Sequence, residues 1–356
     1  DGRRGGPGGD TSFNRFERVC LMLGVPGSVA LAVGATLVIW RGSEYFDRAA
    51  RRLSNHYRLP VAVHGAVVVA VGSSFPELSS VVISTVVHGE FSLGVGAIVG
   101  SAIFNLLVIP GVSALFSEDL DASRSLVHRD AQFYVISVLL IFVVFALGAT
   151  YVPGGTNTEA ILTPGLALLP LATYGVYLFL HQQDAGDHAV DTAPEISPLR
   201  EWGRLIVALG VIAVGVEAIV RAVLSLGATF GTPSFLWGLT VIAAATSLPD
   251  AFVSVRAARV NDSVTSLTNV LGSNIFNLLV AIPVGILLAG SATINFLVAV
   301  PTMGFLGLAT LVFVVFTRTD LELSRLEACG FLGIYVLFLL WMTLESLGVI
   351  ETVRGI

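Results

Sequence analysis

Long apolar runs divided by short polar breaks fill nearly the whole chain. Ten runs stand out, at about 20–40, 61–87, 91–115, 132–151, 159–181, 203–226, 235–258, 264–289, 291–316 and 327–348. Most reach the ~20 residues that a helix needs to cross a bilayer. They lack the strict alternation of barrel strands, so helices are the expected spanning elements. Residues 1–19 are rich in Gly and Arg, lack the apolar core of a signal peptide, and are expected to form a flexible tail. The longest connection, 182–200, is polar and reads as a flexible linker between runs five and six.

Composition agrees with this pattern. Only 12% of the 356 residues are charged and 54% are hydrophobic, whereas a soluble domain carries roughly 25% charged residues. The expected class is an all-α polytopic membrane protein whose surroundings are the lipid bilayer. The net charge of −6 argues against a nucleic-acid partner. No Ser/His/Asp, paired-Asp or HExxH arrangement stands out at helical depth, so neither an enzyme nor a cofactor is expected. Cys20 and Cys329 form no metal-ligand spacing.

Arginine placement sets the orientation. There are 19 basic residues, all arginine. With ten spans, the connections after the odd-numbered spans, with their helix ends, hold Arg41, Arg48, Arg51, Arg52, Arg58, Arg124, Arg129, Arg200, Arg204, Arg256, Arg259, Arg318 and Arg325. The positive-inside rule puts this face in the cytoplasm and both termini outside.

The chain also repeats itself. "AVGSSFPELSSVVIS" (70–84) recurs as "AAATSLPDAFVSVRA" (243–257), and "VGSAIFNLLVIPG" (99–111) recurs as "LGSNIFNLLVAIP" (271–283). Glu77 and Asp250 are offset by 173 residues and Asn105 and Asn277 by 172, so the two motifs recur in register. Glu44 and Glu217 each precede their motif carboxylate by 33 residues. Each copy carries five spans (20–181 and 201–356), and five is odd. The second copy must therefore enter the membrane inverted, the plan on which many secondary transporters build a midplane site.

The repeated motifs hold the polar chemistry. Pro76 has no N–H and its ring opposes the carbonyl of Gly72, so the helix is expected to break there and free carbonyls near Ala70 and Ser73. Glu77 opens the following half-helix, where the helix dipole favours its charge. Ser101 and Asn105, like Ser273 and Asn277, are four residues apart and share a helix face. An ionisable residue in a membrane helix costs ~2.5–3.5 kcal/mol even on a lenient scale. The chain meets that cost twice, at Glu77 and Asp250. Carboxylates, amides, hydroxyls and carbonyls are hard oxygen donors suited to Ca²⁺ or Na⁺, and no His or Cys accompanies them. Glu44 and Glu217 fit either a gating role or interfacial anchoring. His88 reads as a loop residue, His64 as a packed one, and Trp40, Trp202 and Trp237 as interfacial aromatics.

These paired motifs resemble the alpha repeats of the sodium/calcium exchangers, within the cation/calcium exchanger superfamily. The matching positions are Gly72–Glu77 with Gly100–Asn105, and Ala245–Asp250 with Gly272–Asn277. The resemblance implies ten transmembrane helices in two inverted five-helix repeats, with Ca²⁺ and Na⁺ as transported substrates. It implies Glu77 and Asp250 as central ligands, and Ser74, Ser101, Ser247 and Ser273 as hydroxyl donors. Carbonyls of Ala70, Ser73, Ala243 and Thr246 would add ligands, and Asn105 and Asn277 would line the centre. Helices one and six would slide across the rest. Two positions depart from the pattern. Ala245 stands where Gly is usual, which would stiffen the second break. Asn277 stands where potassium-dependent relatives tend to carry Asp, which favours potassium independence. The short linker suggests a compact prokaryotic form in the plasma membrane. A proton-coupled Ca²⁺ antiporter of the same fold, or a cation channel, are the alternatives.

Overall fold

A computed structural model describes residues 13–57, 70–116, 124–151, 159–184, 197–260, 262–319, 323–347 and 349–350. The first copy comprises α1 (Phe13–His56), the short α2 (Ala70–Ser73), α3 (Phe75–Val86), α4 (Phe91–Phe116), α5 (Arg124–Tyr151) and α6 (Pro164–Asp184). The second comprises α7 (Pro198–Phe230), α8 (Ser234–Arg259), α9 (Val264–Ala289), α10 (Phe296–Thr319) and α11 (Arg325–Ser346). Among the described residues nine helices are long and apolar enough to span a membrane, and α3 is a shorter apolar helix within the second run. The first half of that run, 61–69 with His64, lies outside the described residues.

Several boundaries differ from the hydrophobic runs. The first run continues as helix to His56, because its Arg-rich polar end pairs with Asp47 and Glu44 along its own surface, as in the Arg51–Asp47 ion pair at 2.9 Å. Residues 13–23, assigned mostly to the tail, are helical, and Gly24 (φ 60°, ψ −170°) with Pro26 divides them from the membrane part. The starts of runs five and nine are not helical. They form strands β1 (Glu159–Leu162) and β2 (Ala292–Asn295), paired antiparallel from Glu159↔Asn295 to Leu162↔Ala292. β1 follows the fourth span and β2 the eighth. An even number of crossings separates them, so their pairing fits the ten-span topology.

The opposite face shows the same parity. Arg52 at the end of α1 donates to Glu201 at the start of α7 over 3.2 Å. α1 and α7 pack along each other with glycine at the contact: a Cβ on Gly42 would lie 2.8 Å from Ile212 Cγ1, and one on Gly215 2.8 Å from Ile39 Cγ1. Lipid tails are as apolar as leucine, so such close backbone approach, more than apolar burial, must hold membrane helices together. The pair centres a hydrophobic cluster around Ile39, Ile212, Val216 and Ile219, which Leu93 and Ala97 of α4 and Ile242 and Ala245 of α8 join. A second, larger cluster joins α4, α5, α9, α10 and α11. The bundle is thus two packed bodies in one fold, with α3 and α8 at the seam between them.

Candidate functional site

The centre of the fold is set by α4 and α8, which cross where both carry glycine. A Cβ on Gly100 would fall 2.0 Å from the Leu239 carbonyl oxygen, and one on Gly238 2.2 Å from that of Leu93. Only glycine permits this approach, and it brings Ser101 against Ser247. Gly72 has a similar reason: a Cβ there would meet the Phe46 ring of α1 at 2.5 Å.

The first motif breaks as its proline requires. α2 ends at Ser73, Ser74 (φ −95°, ψ 8°) stands between the helices, and Pro76 occupies the first turn of α3, where its missing N–H costs nothing. The second motif does not break. α-helix runs unbroken from Ala243 to Arg259 with Pro249 inside it. Its irregularity lies upstream, in a π-helical turn over Gly238–Ile242. A second π turn begins at Asn277 and ends before Pro283, whereas the matching Asn105 and Pro110 sit in regular α-helix. The expected second break is therefore replaced by π turns, which take up the extra residue and the lost hydrogen bonds without opening the helix.

Two groups of side chains result, buried except for Ser73, which reaches the edge of a cavity. Ser101 and Ser247 each donate to Glu77 Oε1, at 3.5 and 3.4 Å, and Ser247 donates to Ser101 Oγ at 2.8 Å. Thr246 adjoins the same carboxyl. Around Asp250 stand Ser273, Ser73 and Asn105, with the Ser73 and Ser273 hydroxyls 3.1 Å apart. Each carboxylate thus meets the glycine-serine hydroxyl of its own copy and a motif hydroxyl of the other. The two carboxylates also act on each other electrostatically. Ser80, one turn beyond Glu77, donates to the Glu77 carbonyl at 2.7 Å.

Hydrogen bonding within the site is incomplete. Among the motif residues, Ser74 Oγ, Glu77 Oε2, Asn105 Oδ1, Asn277 Oδ1 and both carboxylate oxygens of Asp250 are buried with no hydrogen-bond partner. Buried polar atoms are nearly always satisfied, and an unsatisfied one costs about 1–3 kcal/mol. Oxygens left bare in this way are what a dehydrated cation replaces its water with. The set fits a hard cation that takes 6–8 oxygens, and it contains no soft ligand.

The predicted residues divide as follows. Glu77, Ser101, Ser247 and Thr246 join one group; Asp250, Ser73, Ser273 and Asn105 join the other. The Ser74 and Asn277 side chains are buried beside them with no hydrogen-bond partner among the described residues. The Ala243 carbonyl accepts from Thr246 Oγ1 at 3.3 Å, so the threonine already occupies it. Ala70 is the first described residue of α2. The site also includes Asn274, which the motif comparison passed over. Its Oδ1 accepts from Asn105 Nδ2 at 3.0 Å, and its Nδ2 donates to the Ala102 carbonyl at 3.3 Å. Asn274 aligns with Ala102, so only the first copy's apolar residue concealed it. Trp40, read as an interfacial aromatic, stacks on Phe252 at 4.4 Å. His88, read as a loop residue, makes a 2.9 Å contact with Glu217.

An inverted five-plus-five bundle with paired intramembrane carboxylates defines a polytopic transporter. Comparison with known proteins narrows this. The sodium/calcium exchanger protein family model matches residues 27–181 and 201–344, and the chain belongs to that family. The sodium/calcium exchanger MaX1 of Methanosarcina acetivorans is 26% identical over 343 residues, spanning 87% of this chain and 96% of that one. The sodium/potassium/calcium exchanger 4 of Homo sapiens is 39% identical over 135 residues, 37% of this chain and 21% of that protein. Among solved structures, the sodium-calcium exchanger NCX_Mj superposes with a TM-score of 0.59 at 24% identity, over 87% of this chain and 97% of that one. That likeness supports the ten-helix inverted-repeat fold.

Proposed function

We propose that the protein exchanges Na⁺ for Ca²⁺ electrogenically and without K⁺, by alternating access at the site between Glu77 and Asp250. The observation that carries this is the pair of fully buried carboxylates, one from each copy, ringed by hydroxyls and amides, with Ser74 Oγ, Asn105 Oδ1 and Asn277 Oδ1 lacking hydrogen-bond partners among the described residues. Two negative charges balance one Ca²⁺, and neutral oxygens complete its shell. The same oxygens, spread over two groups, accept several Na⁺ in turn. Occupancy by one ion type or the other makes the exchange obligatory.

The close packing of α1 on α7 at Gly42 and Gly215 supplies the moving part, a pair that slides as a unit past α4 and α8. Potassium independence rests on Asn277, which is neutral and so adds no third charge to hold K⁺. The arginine-rich ends face the cytoplasm of a prokaryotic cell, and the β1–β2 pair and both termini face outward.

The test is ⁴⁵Ca²⁺ uptake into Na⁺-loaded proteoliposomes diluted into Na⁺-free buffer, with and without K⁺. Uptake that needs internal Na⁺, ignores K⁺, is slowed by an inside-negative potential and is accelerated by an inside-positive one supports the reading, because more positive charge leaves with Na⁺ than enters with Ca²⁺. Uptake driven only by a proton gradient would replace Na⁺ as the coupling ion, and uptake stimulated only with K⁺ present would overturn the role given to Asn277.

A further inference from the structure

Glu44 and Glu217 occupy matching positions in the two copies, yet their surroundings differ. Glu44 lines a cavity of about 540 Å³ between α1 and α8, which reaches Gly72 and Ser73 at the edge of the site. Glu217 is engaged by side chains of α7 and of the turn after α3. Its carboxylate accepts from Arg221 Nε at 2.5 Å and contacts His88 Nε2 at 2.9 Å, with all three side chains largely buried. This contact ties α7 to the turn after α3, on the membrane face that carries the β1–β2 pair.

Behind it runs a polar stripe. Glu77, Ser80, Ser84 and His88 recur at helical spacing along one side of α3 and its continuation. Glu77, Ser80 and Ser84 are completely buried, and Ser84 Oγ has no hydrogen-bond partner among the described residues. The stripe lies at the seam between the two bodies of the fold. On one flank Ile83 packs with the α1–α7 cluster, and on the other Gly94 of α4 comes against Val81. Ser84 Oγ thus stands between a site carboxylate and the Glu217 contacts, and buried hydroxyls are nearly always hydrogen-bonded.

We propose that Glu217, held by Arg221 and His88, is the outer gate and first cation-binding carboxylate of a path that runs along Ser84 and Ser80 to Glu77. The inference rests on the antiporter reading and adds the path to it. In the state described, the seam on the arginine-rich face is open as the cavity, and the matching seam on the other face is shut. Arg221 holds the place of a cation at Glu217. When α7 slides, the contact with His88 parts, the carboxylate is released to an entering divalent cation, and Ser84 becomes its next oxygen. Access alternates as the Glu217–His88 contact forms and parts, while Glu44 pairs with Arg41 of its own helix at 3.5 Å.

The test is thiol accessibility, which needs no transport. In a background with Cys20→Ser and Cys329→Ser, Ser84→Cys is treated in intact cells with a membrane-impermeant, positively charged methanethiosulfonate. Reaction from outside is expected to be slow, and roughly ten-fold faster when either Glu217→Gln or His88→Gln is added, because the rate follows the population of the open state. An unchanged rate in both double variants overturns the gate. Equal acceleration at Ser137→Cys, buried in α5 away from the path, would mean general loosening and also overturn it. Failure of Na⁺-driven Ca²⁺ uptake in the parent, with the accelerated labelling intact, would strike the coupling ion and leave the path standing.

Discussion

The two copies share a motif but not a backbone. In the first, Pro76 begins a new helix after a break at Ser74; in the second, Pro249 lies within a continuous helix, preceded by a π turn. Gly100 is pressed against the Leu239 carbonyl, whereas a Cβ on its counterpart Gly272 would meet nothing within 4 Å. Glu77 receives two serine hydroxyls, while neither oxygen of Asp250 has a hydrogen bond among the described residues. The sequence symmetry therefore describes two states of one design. A transporter with inverted repeats is asymmetric at any instant, since one copy closes its seam while the other opens, and the exchange of these roles moves the site from one face to the other.

The strongest way to break this comparison is at the carboxylates. If both copies contribute one essential charge, Glu77→Gln and Asp250→Asn should each lower ⁴⁵Ca²⁺ uptake by roughly 100-fold or more, the scale expected when one partner of a buried charge contact is removed. Both variants should still elute as the native species in size-exclusion chromatography. Substantial uptake by Asp250→Asn alone would make the site one-sided and would end the symmetric reading.

The glycines give the next largest contrast. Gly100→Ala should destabilise by about 1–3 kcal/mol, because the new methyl must push α4 from α8. Gly272→Ala should be neutral or stabilise by up to about 1 kcal/mol, since alanine favours helix and the space is open. Thermal unfolding in detergent compares the two directly, and equal losses would show that the copies pack alike.

The prolines differ more modestly. Pro249→Ala should raise the unfolding temperature more than Pro76→Ala, because only Pro249 denies a hydrogen bond within a continuous helix. The smallest effect is expected at Asn277. Asn277→Asp should leave the fold intact and make Ca²⁺ uptake a few times faster with K⁺ than without. An uptake equally indifferent to K⁺ in both proteins would remove Asn277 from the explanation.

Much of the architecture was legible from residue order. The apolar runs and the odd number of spans per copy dictated an inverted repeat, because every backbone polar group in lipid must be satisfied within its helix. The sequence also singled out Glu77, Asp250 and the paired serines, which the fold brings together, because charge at membrane depth is costly. Strands β1 and β2 were hidden inside the runs Glu159–Leu162 and Ala292–Asn295, whose apolar residues satisfy a helix and a strand equally over so short a length. Asn274 was hidden by the alignment with Ala102, and the role of His88 by its position outside any apolar run.

The sequence by itself determined which residues enter the membrane, their inversion and the oxygen chemistry at their centre. Those follow from local rules of hydropathy, parity and ligand hardness. Tertiary structure alone decided which glycines are indispensable, which proline breaks its helix, and which of two matching glutamates is latched. Each of these depends on what lies across the seam between two packed bodies, and a repeated sequence cannot say which of its copies is open.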